Sequence, residues 1–167
     1  MLKEVLSSRA VAFEVVRRVF EDEAYADRAF RAAATGLDPR DRAFAMQLAY
    51  GTVQRVRTLD RAIETLGRRP VRKLDPPVKA ALRLGAYQLG FMGSVPAHAA
   101  ANESVELVRG AGLERAVAFT NAVMRRLAAG IAPSRCSSRT GRCSVSAHSI
   151  TRSRRWVAGP CGSSTRR

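Results

Sequence analysis

Apolar residues recur at three- and four-residue spacing through about the first 130 positions of this 167-residue chain. That period marks helices packed by one face. Ala12, Val15, Val16, Val19 and Phe20 line such a face, and Ser7 or Ser8 can cap it. A second, shorter helix fits about 25–35, with Ala26, Ala29, Phe30 and Ala33 inward and Gly36 at its end. "LDPRDRAFAMQLAYGTVQRV" opens with a start signal: Asp38 as N-cap, Pro39 in the first position, Asp41 in the first turn. This third helix buries Phe44, Ala45, Leu48, Ala49 and Val56, and Leu59, Ile63 and Leu66 face inward from a fourth that Gly67 stops.

After the basic connector RRPVRK, Asp75-Pro76-Pro77 starts a fifth helix that is apolar nearly all round: Val78, Ala81, Leu82, Leu84, Gly85, Leu89, Phe91 and Met92. A helix without a polar face belongs at the centre of a bundle. Gly85 and Gly90 would admit close neighbours, at about 1 kcal/mol each in helix propensity. Pro96 opens a sixth helix through about Val108, "GAG" at 110–112 ends it, and a seventh runs from about Glu114 to Ala129. Two-residue alternation never persists, so the expectation is an all-α bundle of about seven helices with no sheet.

Composition divides the chain near Gly130. Residues 1–130 hold 21 Lys and Arg against 14 Asp and Glu; residues 131–167 hold eight Arg and no Lys, Asp or Glu. The second segment also has no leucine, nine of the thirteen serines and all three cysteines. Such a segment buries too little apolar surface to offset its ordering entropy. The expected organisation is a helical domain over 1–130 and a disordered Arg/Ser-rich tail over 131–167. Two origins of the tail compete: a genuine RNA-binding tail, or out-of-frame translation of GC-rich DNA, which "SRCSSRTGRCS" and "GPCGSSTRR" favour.

The formal charge of +15 calls for an anionic partner, nucleic acid or an acidic membrane surface. No apolar run reaches the roughly 18 residues of a membrane span. Cys136, Cys143 and Cys161 show neither metal-ligand spacing nor an even count, so the expected setting is the reducing cytoplasm, with no metal. A catalytic site is hard to assemble, since His98 is the only histidine of the helical region and no phosphate-binding glycine loop occurs.

The basic residues carry the functional candidates. Arg9, Arg17 and Arg18 lie on the polar side of the first helix. Lys79 and Arg83 are four apart on the fifth, and Tyr87 continues their stripe, a pattern that can hold a phosphate and stack a base. The plain alternative is two snorkelling cations and a core tyrosine. In "NAVMRRL", Val123, Met124 and Leu127 pack while Arg125 and Arg126 suit the negative end of the helix dipole or an RNA phosphate. Asn102 and Asn121 are expected to serve as structural polar groups, Asn121 by bonding a neighbouring helix.

"DPRDRAFAMQLAYGTVQRVRTLDRAIETL", "LDPPVKAALRLGAYQLGFMGSVPAHAAANESVELVRGAG" and "AVAFTNAVMRRL" together resemble the NusB-like RNA-binding domain over about residues 7–130. They resemble most the version that begins the Sun/Fmu-type (RsmB) small-subunit rRNA cytosine-C5 methyltransferases. Tyr50-Gly51 followed by Arg55, and the run from Leu82 through Pro96 to Asn102-Glu103, carry that distinction. The resemblance implies a seven-helix fold that engages RNA, most of all small-subunit rRNA, with Arg9 in the RNA-contacting region. In the antitermination factor of this family the domain works with a ribosomal protein. In the methyltransferases it presents rRNA to a catalytic domain that uses S-adenosylmethionine. Nothing after Gly130 resembles that domain. "GPCGSS" matches its Pro-Cys motif only locally, so Cys161 is not expected to be catalytic. The expectation is therefore no enzyme activity and no cofactor in this chain, with a free-standing antitermination factor as the alternative.

Overall fold

The computed structural model describes residues 7–93 and 95–131. Among them are seven α-helices and no strand: α1 (Ser8–Glu21), α2 (Ala26–Ala33), α3 (Pro39–Gln54), α4 (Val56–Gly67), α5 (Pro76–Phe91), α6 (Ala97–Gly110) and α7 (Glu114–Ile131). A 3-10 turn, Val71–Lys73, sits between α4 and α5. Residues 132–167, with the three cysteines and the tail, lie outside the described residues. No described helix is long and apolar enough to cross a membrane.

Local chemistry sets the helix boundaries. The Ser7 hydroxyl accepts the Arg9 N–H at 3.4 Å and caps α1. Proline occupies the first turn of α3 and α5, where no intrahelical donor is needed. Gly36 and Gly112 take positive φ at the turns after α2 and α6. Two boundaries differ from the sequence pattern. Val56 begins α4 and is half-buried, because the chain breaks at Arg55. Gly67 is the last residue of α4, and the left-handed residue is Arg68, φ 53°.

α5 is the axle of the bundle. Every residue from Ala80 to Gln88 is buried, and α1, α3, α4, α6 and α7 all pack on it. Gly85 makes this possible: a methyl group there would collide with Ser104 Oγ of α6 and the Met124 thioether of α7. Gly51 does the same on α3, where a Cβ would fall inside the Tyr87 phenol. Gly90, by contrast, is exposed. Val15, Val16, Leu48, Leu82, Leu84, Met124 and Leu127 fill the core. Phe20 does not join them. It is 39% exposed at the end of α1.

Candidate nucleic-acid interface

Ion pairing consumes the arginines of α1. Arg17 sits 3.2 Å from Glu21 and 3.5 Å from Glu14, and Arg18 Nε donates to Glu14 at 2.8 Å. These are partly exposed i,i+3 and i,i+4 pairs of the ordinary helical kind. Arg9 is a brace. Its Nε donates to Gln88 Oε1 of α5 at 3.1 Å, its Nη1 lies 3.8 Å from Glu103 of α6, and its guanidinium covers the Phe44 ring of α3 at 5.2 Å. One side chain thus ties four helices.

The Lys79–Arg83–Tyr87 stripe is not one surface. Tyr87 is 5% exposed and stacks on Phe91 with ring centroids 5.4 Å apart. Arg83 is 8% exposed, and its Nε and Nη2 donate to the two Asp60 carboxylate oxygens at 2.7 and 2.8 Å. Its other face lies 4.4 Å from the Phe20 ring. Lys79 is half-buried and makes no ion pair among the described residues. The asparagines also sit differently from their expected role, since Asn102 and Asn121 are both exposed. The buried polar groups are the neighbouring Ser104 and Thr120, whose hydroxyls donate to Ala100 O and Ala116 O at 2.8 Å each. The helical register places those hydroxyls, rather than the amides, on the packed faces.

The exposed cations left without a carboxylate concentrate where α4 ends against α7. Arg126 Nη1 donates to Leu66 O at 3.2 Å. Arg69 covers the Phe119 ring of α7 at 5.6 Å. Val71 N–H donates to Glu64 at 2.9 Å and folds the connector back on α4. Arg68, Arg69, Arg72, Lys73, Arg125 and Arg126 are all exposed there, and none forms an ion pair among the described residues. Arg125 and Arg126 were legible as candidates from the sequence. The other four lie in "RRPVRK", whose density of charge was the available signal. The other exposed cations without an ion pair among the described residues are spread more widely: Arg28 and Arg31 on α2, Arg40 and Arg42 at the start of α3, and Arg55, Arg57 and Arg61 along α4 and its start.

The described residues hold no group of three or more His, Cys, Asp or Glu able to bind a metal. They also hold no strand followed by a glycine turn and helix, the unit that seats a nucleotide cofactor.

The described residues thus define a class of all-α seven-helix bundle, with a basic end whose exposed cations form no ion pair. Within it the chain belongs to the NusB family, whose model matches residues 6–129. It is 40% identical over 124 residues to the probable ribosomal RNA small subunit methyltransferase B of Synechocystis sp., covering 73% of this chain and 28% of that protein. It is 39% identical over 94 residues to the transcription antitermination protein NusB of Alkalilimnicola ehrlichii, covering 56% of this chain and 53% of that one. The chain thus spans about a quarter of the first relative and about half of the second. Among solved structures, the fold matches NusB in a complex of antitermination factors NusB and NusE with double-stranded RNA. The TM-score is 0.69 at 22% identity, over 78% of this chain and 99% of that one.

Proposed function

We propose that residues 7–131 form an RNA-binding domain that presents small-subunit rRNA for cytosine-C5 methylation and does no chemistry itself. The observation that carries RNA binding is the cluster of six exposed cations at the α4–α7 end, free of carboxylate partners among the described residues. Cations left unneutralised by their own protein suit a phosphate backbone. The methyltransferase assignment is supported by the longer match to the Synechocystis protein and by the Tyr50-Gly51 and Arg55 wording. The methyl donor would then act in a catalytic domain, and the tail over 131–167 would not belong to the functional protein.

A second reading has its own support: the fold covers 99% of a solved NusB chain. On that reading the chain is a free-standing antitermination factor that binds RNA together with a ribosomal protein. Two measurements separate them. The intact mass of the native protein is expected well above the 18.2 kDa of this chain if it is half of a methyltransferase. A product at 18.2 kDa that captures a small-subunit ribosomal protein would replace the first reading with the second. In either case RNA affinity should fall steeply with salt. Salt-independent affinity, or none, would remove RNA from both.

A further inference from the structure

We infer that the cleft between α1 and the start of α5 is a seat for one unpaired nucleotide of a single-stranded RNA, with Phe20 as the stacking platform and Lys79 as the phosphate contact. This rests on the RNA-binding reading and goes beyond it, since the cleft uses none of the α4–α7 cations.

The cleft has a volume of about 390 Å³ and is lined by Val16, Arg17, Phe20, Glu21, Lys79 and Arg83, with Pro76 and Ala80 at its α5 edge. That is the lower end of the range for small-ligand sites, about 300–1,000 Å³. Phe20 is a large apolar side chain that keeps part of its surface open to the cleft, 39% exposed. It is not loose. The Arg83 guanidinium lies 4.4 Å from its ring centre, and Asp60 holds that guanidinium through two hydrogen bonds. The ring is thus backed by a fixed planar cation.

The charges say what should lie against the ring. Arg83 is balanced by Asp60, and Arg17 by Glu14 and Glu21. Lys79 is left as the unbalanced group of the cleft, at the positive end of the 16-residue α5. One aromatic face beside one free cation matches one base and one phosphate. Every base has a face to stack, so the seat is tolerant of sequence. In a duplex both faces of a base are already stacked, so the seat rejects paired RNA. The sequence had placed the ring and the cations on one helix through Tyr87. The bundle buries Tyr87 and supplies the ring from α1 instead.

The test uses the full chain and two labelled probes, a short uridine oligonucleotide and an RNA duplex, followed by fluorescence anisotropy. Phe20→Leu keeps the apolar contact and removes the platform. It should weaken single-strand binding by about tenfold and leave duplex binding unchanged. Lys79→Gln disturbs no ion pair among the described residues. It should weaken single-strand binding and lower its salt slope by about 0.7. Unchanged single-strand affinity in both variants would overturn the seat while leaving RNA binding at the α4–α7 end intact. Equal losses on strand and duplex would also overturn it, making the cleft a general phosphate contact. A wild-type chain that binds neither probe would remove the RNA-binding reading together with the seat.

Discussion

Arg83 shows how a side chain changes meaning between sequence and fold. In the chain it is a cation four residues from another cation, and its partner, Asp60, lies 23 positions away. Local spacing cannot report such a pair. By contrast the Glu14–Arg18 and Arg17–Glu21 pairs are readable, because four residues return to the same side of a helix. The buried end of the Asp60–Arg83 pair makes it asymmetric. Asp60→Ala strands a guanidinium whose side chain is 10% exposed and should cost about 2–3 kcal/mol in urea unfolding, below the full buried-pair value because Asp60 is itself 27% exposed. Adding Arg83→Met to that variant should recover most of the loss, since no charge then remains unpaired.

Helix identities were legible from apolar period and capping chemistry alone. Asp38-Pro39 and Asp75-Pro76 start α3 and α5 as read, and α5 is central because it lacks a polar face. The break at Arg55 was not legible, as the apolar period runs through Val56 with no proline or glycine at the break itself. Nor could the chain show which glycine is a contact. Gly85 abuts two helices while Gly90 is exposed, though both occur in the same stretch. Gly85→Ala gains about 1 kcal/mol of helix propensity but crowds Ser104, whose hydroxyl is held by Ala100 O. Overpacking of this kind costs about 1–3 kcal/mol. The expected result is a lower urea midpoint, and an unchanged or higher one would show that α6 can yield.

At the scale of the molecule, the bundle separates charges that count from charges that cancel. Arg17 and Arg18 are answered by acids on their own helix; Arg68, Arg69, Arg125 and Arg126 are not, among the described residues. Changing the last four to Gln should flatten the slope of log affinity against log salt by about three. Changing Arg17 and Arg18 to Gln should leave it unaltered and shift stability by under about 1 kcal/mol. Equal effects of the two variants would mean that net charge, rather than placement, governs binding. The candidate interface was only half legible for this reason: basic residues can be counted in a sequence, but their neutralisation depends on which helices meet.

The left-handed backbone of Arg68 has a consequence of its own. A side chain at φ 53° is held where glycine would rest more easily, and the strain is about 1–2 kcal/mol. Arg68→Gly should therefore raise the melting temperature while weakening RNA binding. Stability and affinity would move in opposite directions at a single position. A selection for heat resistance alone would be expected to discard this arginine, and one for RNA binding to keep it.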